Sequence, residues 1–206
     1  WIPASLPLAV QASLRSLMGA RVSDKDTEGY LYLHELVAHS PSPAPPPASA
    51  AASDGAALIK LGRALRPVQR LSQWRASCPS HRIVVRDVLP RSPASSSSSS
   101  SSAPTRVGGT VQGVDLRLVL ADRGTPNHHR WERLCLVELS GRALPSPSPA
   151  LPDAREACAD CGARHVERFW VPRGAVTGEW DAEGAEQWDV REVMQRWERW
   201  CRDVLG

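Results

Sequence analysis

Lysine is nearly missing from this chain: of 25 basic residues only Lys25 and Lys60 are lysines, and the rest are arginine. A dominant charge is missing too, because 22 acidic residues leave a net charge of only +3. That balance excludes a histone-like polycation that binds through bulk charge. No stretch approaches the ~18 consecutive apolar residues of a membrane span, so no membrane partner is expected. Composition likewise excludes a collagen, a coiled coil and a membrane channel. No internal repeat is present, and the first 20 residues carry Arg15 inside their apolar stretch without a basic leader, unlike a secretory signal. The chain opens Trp1-Ile2-Pro3 without a methionine and reads as a piece of something longer.

What is present suits one ordinary domain plus decoration, or two very small ones: 206 residues, 42% of them hydrophobic, can fill a core. The arginine excess has two readings, phosphate recognition through planar bidentate forks or a GC-rich coding sequence. Three low-complexity stretches, at about 40–54, 90–106 and 144–153, are rich in Pro, Ala and Ser, and the second holds an unbroken serine run at 95–102. None can bury enough apolar surface to offset its ordering entropy, so they read as disordered inserts between structured pieces.

The structured pieces have clear periods. Residues 29–37 and 57–61 alternate as strands, and Pro67 is a good first helical residue ahead of Leu71, Trp74 and Cys78 on one stripe. Residues 82–89 form a third strand, 114–120 a further candidate, and 169–171 a short last one. Residues 129–140 form a helix with Gly141 as its C′ stop. Val190, Val193, Trp197, Trp200 and Val204 mark an amphipathic C-terminal helix. The fold class is α+β in β-β-α-β-α order, a small central sheet flanked by helices. Trp74, Trp131, Trp197 and Trp200 lie on apolar helical stripes and read as core, as do Cys135 and Cys201.

Five cysteines are an odd number, which suits an intracellular metal site better than a disulfide framework. Cys158-x-x-Cys161-Gly162-x-x-His165 offers three ligands of a tetrahedral Zn²⁺ site, with Gly162 permitting the tight turn. Cys78 is the chosen fourth ligand and His81 the alternative, making a closed structural staple. Buried thiols or a redox pair are the competing readings.

Five segments in order, GYLYLHEL, IKLGR, QRLSQW, ERLCLVEL and CADCGARHVERFW, span 29–170. Together they resemble the GIY-YIG nuclease superfamily, and more narrowly a phage-type DNA-binding subfamily common in fungal proteins. The resemblance implies a GIY-YIG-like domain at 29–172, preceded by a helical lead-in at 1–28 and followed by a helical extension at 173–206. It implies Tyr32 near the attacking water, Arg70 on the phosphate and Glu132 holding one Mg²⁺ or Mn²⁺. Arg63, Arg66 and Arg75 would contact the DNA backbone, giving salt-sensitive binding. DNA as partner carries with it an intracellular, nuclear location; protein partners stay open.

The chain departs from the pattern at two places. Lys60 stands where the second motif has a tyrosine, and a charged lysine has no acceptor and an ordinary pKa near ~10.4, so it cannot relay a proton as a phenol does. Leu136 replaces a histidine. The expectations are therefore a metal-dependent endonuclease, a silent nucleic-acid-binding module on the same fold, or a zinc-stapled protein-interaction domain.

Overall fold

The computed structural model describes residues 1–24, 26–38, 55–92, 120–147, 156–180 and 187–206. The three low-complexity segments, apart from their edges, and nearly all of the strand expected at 114–120 lie outside the described residues. The elements are α1 (Leu8–Gly19), β1 (Tyr30–Ala38), β2 (Ala56–Ala64), α2 (Pro67–Ser77), β3 (His81–Leu89), α3 (His128–Arg142), β4 (Arg168–Pro172), α4 (Gly174–Thr177) and α5 (Val190–Trp200), which runs into a π-helical turn at Cys201–Leu205. The α+β class stands as expected from the sequence.

The four strands form one antiparallel sheet in the order β3-β1-β2-β4. Period-two alternation sorts its side chains into two layers. Leu31, Leu33, Ala57, Ile59, Leu61, Phe169 and Val171 face the layer containing α1, α3 and α5. Tyr32, Leu36, Leu58 and Trp170 face the opposite side, which α2 covers with Leu71. β2 is internal and is buried on both faces from Ala56 to Gly62. Its partner Tyr32 lies directly opposite Gly62, and His34 opposite Lys60.

The larger layer is built on α3 and α5. Trp131 is fully buried and donates from its indole to the Met194 carbonyl at 2.8 Å. Val190, Val193, Met194, Trp197 and Trp200 form the buried stripe of α5, and Asp189 caps its start by accepting from the Arg191 amide. Gly141 does not end α3. It lies in the last turn, where a Cβ would come within 2.8 Å of Val10, so a glycine here serves the close approach of α1.

Much of the arginine has a structural use. Three buried carboxylates each sit between two guanidinium groups: Glu35 with Arg86 and Arg173, Asp87 with Arg91 and Arg191, and Glu138 with Arg142 and Arg196. Glu138 also accepts from the Trp197 indole at 2.8 Å. A planar guanidinium fork matches a carboxylate with two fixed donors, a geometry that lysine's point-like ammonium lacks. Removing one member of such a buried cluster leaves charges unmatched in a poorly solvating interior. Glu138→Gln should therefore cost about 3 kcal/mol or more, read as a lower urea midpoint at unchanged slope.

Candidate functional site

A concave cleft of about 310 Å³ opens where β2 leaves the sheet, between α2 and the start of α3. β1 contributes Tyr32; β2 contributes Lys60, Gly62 and Arg63; α2 contributes Arg70 and Trp74. His128 and Glu132 come from α3, and Glu167 from just before β4. Gly62 is essential to this geometry, since a Cβ there would lie 2.5 Å from the Tyr32 hydroxyl.

The polar groups of the cleft are tied to one another. The Trp74 indole donates to the Tyr32 hydroxyl at 2.9 Å. The Lys60 ammonium donates to Glu167 at 2.9 Å and lies 4.3 Å from the centre of the Trp74 ring. The Arg70 guanidinium lies over the same ring at 4.9 Å. Arg63 donates to Glu132 Oε2 at 2.5 Å. Burial pushes the Tyr32 hydroxyl above its ordinary pKa, opposed by the Trp74 bond and the Arg70 charge. Burial also lowers Lys60, although Glu167 pulls it back, and raises Glu132, although Arg63 pulls it back. For Glu167 burial acts upward, but the bond and charge of Lys60 prevail and the net direction is down.

Tyr32, Arg63, Arg70 and Glu132, named from the sequence, are brought together here. Arg66 instead borders a neighbouring groove with Tyr30 and Leu65, and Arg75 is exposed on α2 and lines neither. Trp74, His128 and Glu167 also line the cleft, although the sequence marks none of them as a site residue. Trp74 was expected in the core but is half-buried as a cleft wall. His128 lies one helical turn before Glu132 and Glu167 two residues after His165, and those spacings were the available signals.

Behind the Trp74 wall lies a second constellation. Cys78, Cys158, Cys161 and His165 place four ligand atoms within 4.8 Å of one another. Cys78 Sγ is 3.7 Å from Cys158 Sγ and 3.8 Å from Cys161 Sγ, and His165 Nε2 is 3.3 Å from Cys161 Sγ. A tetrahedron with sulfur arms of ~2.3 Å has edges of about 3.8 Å, so these four groups could hold a metal such as zinc. Gly162 at φ 69° makes the turn, and its amide donates to the Cys158 carbonyl at 2.7 Å. Cys78 is thus the fourth member, while His81 pairs instead with the Ser80 hydroxyl at 2.8 Å. Arg168 donates to Cys158 Sγ at 3.7 Å. Against burial, which acts upward, the backbone amides of Cys161 and Asp160 and this arginine hold the Cys158 thiol down at about 7. The His165 ring meets Trp74 edge-to-face at 4.9 Å, so the cluster and the cleft share a wall. Cys135 and Cys201 are core thiols, as expected.

Residues 56–200, from β2 through α5 and including all four cluster residues, match the profile of the family described as meiotically up-regulated gene 113, MUG113. The chain belongs to the MUG113 family. No curated protein and no solved structure matches it. The MUG113 match takes in Lys60, Arg63, Arg70, Glu132 and Glu167 but begins after β1, so Tyr32 lies outside it.

One buried group beside the cleft sets a pH response. His34 stacks on Tyr32 at 5.7 Å, is fully buried, and has no hydrogen-bond partner at either ring nitrogen among the described residues. Burial, with Lys60 and Arg168 nearby, pushes its pKa down from 6.5 to about 3. The unfolded chain then binds a proton that the folded protein refuses, so stability is full above pH 6.5 and falls as pH drops below it. Between pH 7 and 5 this group should remove about 2 kcal/mol. His34→Leu should shrink the difference between urea midpoints at the two pH values by a matching amount.

Proposed function

We propose that this domain binds DNA through the cleft and hydrolyses a phosphodiester there with one divalent cation on Glu132. The supporting observation is convergence: residues 32, 70 and 132, picked out by the resemblance to GIY-YIG nucleases, line one concave site although they come from three separate elements. Arg70, held over Trp74, would clamp the phosphate with its planar fork. Tyr32, protonated at neutral pH, would orient the attacking water through its hydroxyl. Lys60 and Arg63 balance the two carboxylates, leaving Arg70 as the cation in excess.

Glu132 fits a cation of this kind in its donor chemistry. Oε2 accepts from Arg63, while Oε1 has no hydrogen-bond partner among the described residues. Mg²⁺ takes one or two carboxylate oxygens and keeps most of its waters. A cation held by Glu132 would supply Lewis-acid charge to the phosphate. A nuclear location follows from this reading alone; among the described residues no helix is long and apolar enough to cross a membrane.

A second reading, a silent nucleic-acid-binding module, draws on Lys60, which is buried and committed to Glu167 where the motif has a tyrosine. The two readings part on one comparison. Wild type should nick supercoiled plasmid in Mg²⁺ or Mn²⁺, and Glu132→Ala should not, with salt-sensitive binding retained by both. Intact plasmid with wild type, with binding retained, would leave the silent module.

The Cys₃His cluster is proposed to hold Zn²⁺ as a staple, since four protein ligands leave no open position. Purified protein should carry close to one equivalent of zinc, and Cys78→Ser or Cys158→Ser should lose it together with thermal stability. Less than ~0.3 equivalents in wild type would rule the site out.

A further inference from the structure

The start of α3 is held by a device that neither the family match nor the resemblance assigns. The segment from Asp26 to Gly29 runs alongside it. Asp26 accepts the His129 amide at 2.8 Å on one carboxylate oxygen and the Arg130 amide at 2.9 Å on the other. The Thr27 carbonyl accepts the His128 amide at 3.2 Å and bonds the His128 ring at Nδ1 at 2.6 Å. Gly29 lies against the ring, where a Cβ would come within 2.7 Å of its Cγ and Cδ2. Gly29 is itself pinned by two backbone bonds with Thr125, at 3.0 and 2.8 Å.

The imidazole is thereby fixed in place and in tautomer. A backbone carbonyl can only accept, so Nδ1 carries the proton and Nε2 presents a lone pair. His128 lines the cleft four residues before Glu132 on the same helix face, and no described residue hydrogen-bonds Nε2. Asp26, His128 and His129 lie close enough to resemble a metal site. Both Asp26 oxygens already accept amides and Nδ1 is committed to Thr27, so the group is a helix cap and a ring clamp.

We propose that His128 is a catalytic residue, the general base of the cleft, taking a proton from the attacking water on Nε2. This rests on the hydrolytic reading above. As the water oxygen bonds to phosphorus, its proton passes to Nε2 and the bond from phosphorus to the leaving sugar oxygen breaks. That oxygen takes a proton from a solvent water, and the imidazolium returns its proton to solvent. Burial holds the His128 pKa below its ordinary value; Thr27 and Asp26 pull it up, while His129 and Arg63 push it down. The ring is therefore neutral and ready to accept at pH 7.

The test is single-turnover cleavage of supercoiled plasmid in Mg²⁺ by wild type, His128→Asn and His128→Ala. The asparagine amide keeps an N–H donor toward Thr27 and discards Nε2. We expect His128→Asn to cleave roughly 10²- to 10⁴-fold more slowly, with DNA binding and melting temperature unchanged. Added imidazole should restore part of the rate in His128→Ala and none in Glu132→Ala. The wild-type rate should fall with acid through the His128 pKa, and His128→Asn should lack that limb. A wild-type rate in His128→Asn overturns the proposal and leaves the hydrolytic reading standing. So does a slow His128→Ala that imidazole does not rescue, which would make the ring structural. No cleavage by wild type overturns both.

Discussion

An ammonium group in the middle of a sheet is tolerable only when something replaces the water it has left. Lys60 lies on the internal strand β2 at 2% exposure, and its solvation is taken over by the Glu167 carboxylate and the face of Trp74. Those two groups come from well-separated parts of the chain, 14 and 107 residues after Lys60. Trp74 rides on α2, and Glu167 follows directly on the knuckle that carries His165. Satisfying one lysine therefore draws the helix, the cysteine knuckle and the sheet to a common point. The cleft is the space that remains on their outer side.

The same logic links the two constellations. Trp74 touches His165 with its ring, donates to Tyr32 with its nitrogen, and carries Lys60 and Arg70 near its π system. One side chain thus links the placement of the Cys₃His cluster to the hydroxyl in the cleft. Gly62 completes the arrangement from below by leaving the space that the phenol occupies.

Much of this was legible in the chain. Strands expected at 29–37, 57–61, 82–89 and 169–171 fall within a few residues of the observed ones, because alternation and period survive in a sheet with one helical layer on each face. Cys78 could be named beside the Cys-x-x-Cys pair because a closed tetrahedron demands a fourth ligand. What was not legible depends on the phase of helices. His128 and His129 lie four and three residues before Glu132, so helical spacing admits either, and His128 is the one that lines the cleft. Trp74 follows an apolar stripe whether the stripe ends in a core or at the edge of a cavity. Gly141 looks like a helix stop because glycine near a helix end serves equally well for close packing.

The spacing of Cys78, Cys158, Cys161 and His165 along the chain has a consequence for how the domain tolerates change. Three of them lie within eight residues, Cys158 to His165, while Cys78 lies 80 residues earlier. The near three form a local unit; bringing in the fourth closes a long loop. The entropy of closing such a loop grows only with the logarithm of its length, about 0.6 kcal/mol for each doubling. Two of the low-complexity stretches, 90–106 and 144–153, fall inside that loop. Length can therefore accumulate or disappear there over evolution at little thermodynamic penalty, while the knuckle and α2 remain joined at the same four atoms.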